Sequence, residues 1–483
     1  MSEEQQAASS PLPRHSHGRD LTTGSIPRHL IMFSLPMLAG SAVQTAYSFV
    51  NAVWVGQFLG KTAVAAVTVS FPVVFVLIAL AAGLTLATTV LISQYFGARD
   101  FPEMRKVVQS STLLIGVLSL VLFGLGEGFA SAIMRAMDTP TEVLDMAASY
   151  LRVYLISLPF GFGFFLVRAM LQGIGDSRTP LRYLAGGLVV NAVLDPLLMF
   201  GWVGLPRLGL NGTAWASVIA QAGSLLLLLA HLHRQKNLVS PDWAHLRMDW
   251  KTTWSTIKIG VPSAVQQCVV SIGMVFVIGI VNGFGEDATA AFGAASRIDQ
   301  LAFMPALTFS MAVSTLAGQN IGAAKHGRIR DIFWWGVLLS GGITLAASAL
   351  AVSIPGILLH IFLTDHTVIR LGTEYLHIVG ACYVFFAVMF VSNGIINGSG
   401  HTVVTTIISL VSLWVVRVPM AYALAHRLGS VRGVWYAMAA SFLVAMTTSV
   451  AYYLSGRWKR PVIKRRAIPA TPDAVFGEET GEI

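Results

Sequence analysis

The chain has 483 residues, 55% of them apolar and only 11% charged, with a formal net charge of +9 and a mean hydropathy of +0.69. A soluble domain carries about 25% charged residues, so this composition excludes an ordinary soluble enzyme and points to an all-α polytopic membrane protein. Its positive charge is then expected to mark one membrane face and not a nucleic-acid footprint.

In chain order, residues 1–29, with Ser9-Ser10-Pro11 and His15-Ser16-His17, contain no apolar run and are expected to form a disordered cytoplasmic tail, not a signal peptide. Weakly charged windows follow at about 30–58, 63–95, 107–130, 147–172, 183–202 and 212–232. At 1.5 Å of rise per residue each can cross ~30 Å of hydrocarbon, so residues 30–232 form a predicted six-helix lobe. Residues 233–258, with Pro241, Trp243, Lys251 and Trp254, read as a cytoplasmic lobe linker carrying one interfacial helix. A second six-helix lobe, 259–456, has windows at 259–283, 288–320, 332–358, 375–397, 403–425 and 433–456. Residues 457–483 read as a basic cytoplasmic tail, whose Lys464-Arg465-Arg466 run can also rest on anionic lipid.

The two lobes share a sequence. Gln94-Tyr95-Phe96-Gly97-Ala98 recurs as Gln319-Asn320-Ile321-Gly322-Ala323, Tyr150-Leu151 as Tyr375-Leu376, and Gly173-Ile174-Gly175 as Gly398-Ser399-Gly400, so positions 94, 150 and 173 map to 319, 375 and 398 by one constant offset. The same offset over three separate segments argues for duplication. An even number of helices per copy leaves both copies facing the same way, related by a pseudo-two-fold axis along the membrane normal, with a cavity between them. Many transporters are built from such repeats, so transport is the first hypothesis. With both termini inside, Arg99, Arg105, Lys106, Lys325, Arg328 and Arg330 fall on the cytoplasmic side. Only Lys61, Arg135, Arg207, Arg370, Arg427 and Arg432 fall outside, which satisfies the positive-inside rule.

No G-x-x-x-x-G-K-[ST] loop, H-E-x-x-H motif or Cys pair at metal spacing is present, and Cys268 and Cys382 sit in separate spans. The chain is read as no enzyme and as needing no cofactor. Its driving force must be an ion gradient or the solute's own gradient. Charge inside a span is costly and therefore informative. Asp195 lies mid-span with Asn191 one turn earlier on the same face and Pro196 next to it. This pair can ligate a hard cation, the carboxylate can take a proton, or Asp195 can hydrogen-bond neighbouring helices as packing glue. Gln44, Tyr47, Ser48 and Asn51 make one polar stripe on the first helix. In the second lobe Gln266, Gln267, Ser271 and Asn393 are the polar candidates for cavity lining or for helix packing. Arg297 and Asp299, two residues apart, are expected to neutralise each other or close neighbours, and Arg168 to snorkel to the inner surface.

From about Pro36 to Gly456 the chain resembles the multidrug and toxic compound extrusion (MATE) transporters. The resemblance rests on Gly173-Ile174-Gly175-Asp176-Ser177-Arg178-Thr179-Pro180, on Asn191-Ala192-Val193-Leu194-Asp195-Pro196-Leu197-Leu198, and on Gly318-Gln319-Asn320-Ile321-Gly322-Ala323. It implies two six-helix bundles forming a V, and efflux of organic cations in exchange for Na⁺ or H⁺. It also implies a coupling-ion site from Asp195, Asn191, the sixth-helix Thr213 and Asn51, with Asn51 standing where many prokaryotic relatives have Asp. That departure keeps an oxygen ligand but removes one charge, leaving a one-carboxylate Na⁺ site or a one-proton site at Asp195. In the second copy Val418-Pro419 matches Asp195-Pro196, so the acid is missing there. Gln44, Tyr47, Gln266, Gln267 and Asn393 are the candidates for the substrate cavity. The resulting expectation is a monomeric efflux carrier in a bacterial-type inner membrane, among lipids, with no nucleic-acid partner. The alternative is a lipid-linked oligosaccharide flippase, which needs a basic cavity that Arg168, Arg297 and Arg417 supply only as scattered charges.

Overall fold

Apolar runs of this length find no hydrogen-bonding solvent in hydrocarbon, so each must close its backbone bonds internally as a helix. The computed structural model describes residues 18–204 and 206–459 and has no strand among them. The first run, Ile26–Gly97, breaks at Gly60 (φ 80°) into α1 (26–59) and α2 (61–97). Then come α3 (Phe101–Ala136), α4 in two halves (Thr141–Ile156 and Leu158–Gly173) bent by 44°, α5 (Arg178–Phe200) and α6 (Leu210–Arg234). The second lobe holds α7 (Trp250–Asn282), α8 (Glu286–Gly322), α9 (Gly327–Ser353), α10 (His366–Gly398), α11 (Thr402–Leu428) and α12 (Arg432–Leu454). With α4 counted as one span, the described residues include twelve helices long and apolar enough to cross a membrane.

The duplication is written into the backbone. Left-handed residues occur at Gly60 and Gly285, Arg99 and Ala324, and Gly175 and Gly400, each pair related by the offset of the sequence repeat. Arg99 and Ala324 carry side chains, yet each adopts φ near 60° because it closes a helix end: Asp100 N–H donates to the Tyr95 carbonyl at 3.0 Å and Lys325 N–H to the Asn320 carbonyl at 2.8 Å. α10 tightens into a 3₁₀ turn at Gly380–Cys382, the counterpart of the α4 bend at Ser157.

Two expectations need correction. Residues 18–25, expected within the disordered tail, are seated against both lobes, and α1 begins at Ile26; residues 1–17 lie outside the described residues. The linker expected at 233–258 is shorter, since α6 runs to Arg234 and α7 begins at Trp250. Between them stands a 3₁₀ turn, Trp243–His245, in place of an interfacial helix. α7 starts early because the Asp249 side chain accepts from Thr252 N–H and caps it. Residues 460–483, most of the expected basic tail, lie outside the described residues.

The lobes interlock through their first helices. Leu30, Phe33 and Met37 of α1 are buried with Ala312, Leu316, Ile332 and Val391 of the second lobe. Reciprocally, Ile259 of α7 is buried in the core of the first lobe. The face bearing Arg99, Arg105, Lys106, Lys325, Arg328 and Arg330, here called the basic face, is sealed by α2 against α8. A Cβ on Gly97 would collide with the Gln319 carbonyl, and one on Gly322 with the Gln94 carbonyl. At the same place Gln94 Nε2 donates to the Gly398 carbonyl (2.8 Å) and Gln319 Nε2 to the Gly173 carbonyl (3.0 Å), so each lobe holds a helix end of the other. Farther from this face, the last polar contact between lobes among the described residues is Thr45 Oγ1 to Met304 Sδ at 3.8 Å. Beyond it the far half of α1 is exposed, with Phe49 65% and Phe58 53% accessible. The molecule is therefore closed at the basic face and parted at the other.

Because the seal is backbone against backbone, it has no side chain that can yield. Gly322→Val is expected to lower stability by at least about 1–3 kcal/mol through overpacking, read as a drop in Tm of the purified protein. Gly342→Ala in α9, where an added Cβ meets nothing within 4 Å, is expected to leave Tm unchanged or slightly raised.

Candidate ion-coupling site

The α5 helix presents Asn191 and Asp195 on one face, and both are buried, Asp195 at 1% exposure and Asn191 at 5%. α1 supplies the partners from its polar stripe. Tyr47 O–H donates to Asp195 Oδ2 at 3.2 Å, and Asn51 Nδ2 donates to the same oxygen at 3.0 Å and to the Tyr47 hydroxyl at 3.1 Å. On the other side Asn191 Nδ2 donates to Ser217 Oγ of α6 at 3.3 Å. One turn before Ser217 stands Thr213, buried, whose hydroxyl donates to the Leu210 carbonyl at 2.9 Å and so keeps lone pairs free.

Two atoms in this cluster have no partner. Asp195 Oδ1 and Asn191 Oδ1 are both buried acceptors without a hydrogen bond, a costly condition that calls for a proton, a cation or a water. An uncharged amide oxygen and a carboxylate oxygen one turn apart form a hard, oxygen-only donor pair with one net negative charge, which suits a monovalent cation or a single proton. No group of three or more His, Cys, Asp or Glu residues able to hold a metal occurs among the described residues.

The structure places Asn51 against Asp195, Asn191 one turn before Asp195 on α5 with its amide on Ser217 of α6, and Thr213 one turn before Ser217. It revises the role of Asn51, which turns its amide nitrogen toward Asp195 and acts as a donor, not as an oxygen ligand. Tyr47, expected in the substrate cavity, bonds the carboxylate instead. Its position four residues before Asn51 on the stripe was the available signal; Ser217, four residues after Thr213, was missed. Of the other cavity candidates, Gln44 and Gln267 are exposed. Gln266 donates to Ser409 Oγ (2.6 Å) and the Thr405 carbonyl (3.3 Å) of α11, and Asn393 is buried, accepting from Ser449 of α12 at 2.9 Å.

The second lobe has its own buried acid, with different surroundings. Asp299 is held by Tyr375 and Tyr383 hydroxyls, one to each oxygen at 2.5 Å. The expected mutual neutralisation with Arg297 does not occur: Arg297 lies over the Phe362 ring, 5.9 Å from its centroid. Residues two apart on a helix point to nearly opposite faces, so the pair cannot meet. The opposite charge comes from Arg417, which acts electrostatically on Asp299, donates to Ser441 Oγ at 2.7 Å and stacks on Phe442 at 4.4 Å. Tyr375 and Tyr383 flank the 3₁₀ break of α10, and Arg417 ends a π-helical stretch of α11, Val411–Arg417. This charge-balanced network fixes two irregular helices in place. Among the described residues, then, Asp195 is the mid-span acid with an unpartnered oxygen.

The family model MatE matches residues 36–197 and 262–423, one match in each lobe. Two proteins of Bacillus subtilis (strain 168) are similar along almost their whole lengths. Probable multidrug resistance protein YoeA is 32% identical over 91% of this chain and 96% of its own, and probable multidrug resistance protein YpnP 30% over 91% and 97%. A MATE family transporter of the MOP superfamily, solved in an outward-facing conformation, has the same fold, with a TM-score of 0.83 at 24% identity over 92% of this chain and 98% of that one. Twelve spans in two matching lobes, each found by the same family model, make this chain a member of the MATE family of multidrug efflux transporters.

Proposed function

We propose that this multi-pass transporter exports organic cations in exchange for Na⁺ or H⁺, with Asp195 as the coupling residue. The observation that carries the reading is the pair of unpartnered buried oxygens, Asp195 Oδ1 and Asn191 Oδ1. In this reading the basic face is cytoplasmic, the membrane is a bacterial inner membrane, and one chain suffices because it contains both lobes. No cofactor besides the coupling ion takes part. A cation arriving from the parted side neutralises Asp195 and completes the oxygen set of Asn191 and Thr213. The Asn51–Tyr47–Asp195 bonds tie α1 to α5, so a change at the carboxylate is felt by α1, the helix that also reaches into the second lobe. Coupling then requires only that ion and substrate favour opposite states of the carrier.

Asn51 sets the charge. With its N–H bonds spent on Tyr47 and Asp195, it holds one carboxylate where an Asp would make two, so one ion per site balances it. The flippase reading is not favoured: Arg297 and Arg417 are engaged by aromatic rings in the second lobe, and Arg168 lies in a crevice with Pro36, Gln172 and Ser177, so the three do not converge.

The test is transport in proteoliposomes loaded with a fluorescent organic cation, with Na⁺ and H⁺ gradients imposed separately. Gradient-driven movement by the parent protein is expected to fall to the leak rate in Asp195→Asn, with Tm unchanged or raised because a buried charge has been removed; wild-type efflux from that variant would refute the assignment. Asn51→Asp places a second carboxylate against Asp195 Oδ2, and two such groups cannot both ionise at contact. The variant is therefore expected to bind an additional proton per cycle and to lose activity as pH rises, measured as the proton-to-substrate stoichiometry and the pH profile beside the parent.

A further inference from the structure

The seal on the basic face is built from pairs of residues related by the repeat, and one of those pairs is unequal. Gln94 and Gln319 both donate Nε2 to a helix-end carbonyl of the opposite lobe. Gln319 Oε1, however, also accepts from the Leu21 N–H at 2.9 Å, whereas Gln94 Oε1, equally buried, has no partner. The difference lies in the segment before each lobe's first helix. Leu21 is 1% exposed, while Leu246, its counterpart at the same offset, is half-buried in the linker, which instead bonds Ser110 through Asp249 N–H (3.0 Å).

The segment before α1 touches both lobes. On the first, Arg19 N–H donates to the Ile174 carbonyl at 2.8 Å. On the second, Asn320 Nδ2 donates to the Leu21 carbonyl (3.2 Å), Lys325 Nζ to the Thr22 carbonyl (3.0 Å) and hydroxyl (3.2 Å), and Arg328 Nη2 to the Gly24 carbonyl (2.9 Å). Its shape is set locally: the Asp20 carboxylate accepts from Thr22 N–H (2.8 Å) and Oγ1 (2.7 Å), an Asx-type turn that aims the Leu21 and Thr22 backbone at α8. Burial works against the Asp20 charge, but the Thr22 bonds, Lys325 and Arg99 outweigh it and hold the carboxyl below its usual value.

We infer that residues 18–24 are a one-sided latch that holds the two lobes closed on the basic face and must lift from Gln319, Asn320 and Lys325 before that face can open. The inference rests on the proposed function above, in which the carrier passes between two opposite states. It adds that the two halves of the seal are unequal: the Gln319 side is locked by the chain's own leader and the Gln94 side is not. Opening is then expected to begin with the release of the leader, because every bond it makes to the second lobe is to groups at the end of α8, on the α8–α9 turn or in the first turn of α9, which move with that lobe.

The seal can be read by a thiol placed within it. In a protein carrying Cys268→Ser and Cys382→Ser, a Ser93→Cys substitution puts a fully buried thiol against Gly318, where N-ethylmaleimide reaches it only when the lobes part. Lys325→Met, at an exposed position that leaves folding intact, is expected to raise the alkylation rate about tenfold, in line with losing charged hydrogen bonds. Leu21→Pro, which removes the N–H given to Gln319, is expected to act in the same direction. Arg19→Ala is expected to label at the parent rate, since that side chain reaches only Met32 Sδ. Parent-rate alkylation in both Lys325→Met and Leu21→Pro would overturn the latch. Organic-cation efflux, measured on the same preparations, separates the two readings: faster labelling without efflux in any variant or parent upholds the latch and defeats the proposed function.

Discussion

The contact on which the structure turns is the backbone meeting of α2 and α8 at Gly97 and Gly322. With no side chain at either position, the carbonyls of Gln94 and Gln319 come within reach of the opposing helix, and their side chains can then cross the interface to Gly398 and Gly173. Each bond closes a helix end that hydrocarbon-side packing would otherwise leave unsatisfied. Any added volume there would separate the helices and take these bonds with it. The parted far side follows from the same contact, since two lobes touching along one edge must diverge from it.

Symmetry explains the frame, and its violations explain the chemistry. The repeated φ reversals show that the two copies fold by the same local rules. Their buried acids do not correspond: Asp195 stands on the fifth helix of its lobe and Asp299 on the second of its own. The sequence around Pro419 has Val418 where Asp195 would be, preceded by Arg417, so this stretch of the second lobe carries a cation and no acid. Arg417 offsets the charge of Asp299, and the tyrosines satisfy both oxygens. A network balanced in charge and in hydrogen bonds stiffens helices but offers an arriving ion nothing.

Much of this was legible in the chain. The constant offset between repeats revealed the two lobes, hydropathy the spans, and the i, i+3, i+4, i+7 stripe on α1 named Tyr47 and Asn51 as residues that face something polar. What periodicity could not supply was the partner. A stripe says which face is wet or bonded, but whether Tyr47 meets a drug or a carboxylate depends on where α5 packs, and Asn51 can turn either its oxygen or its nitrogen. The leader escapes sequence reasoning for a related cause. Residues 18–25 are polar and short of apolar bulk, which is the composition of a tail, yet their backbone groups find partners on α8 that only the folded lobes assemble. The same limit applies to Arg297 and Asp299, where proximity in sequence suggested a pair that helical geometry forbids.

The unpartnered oxygens carry the remaining step of the argument. A buried acceptor without a donor costs on the order of 1–3 kcal/mol, so a protein that keeps several must gain from them or tolerate them. Gln94 Oε1 lies inside a seal whose mirror image is satisfied by the leader, and it is what remains when one half of a duplicated interface loses its strap. Asp195 Oδ1 and Asn191 Oδ1 have no satisfied mirror image, since no acid occupies the matching place. The first orphan is therefore a by-product of asymmetry at the seal. The second and third lie together, on one helix face, around a single negative charge, and under the proposed function they receive the cation or proton that tips α1 against the second lobe.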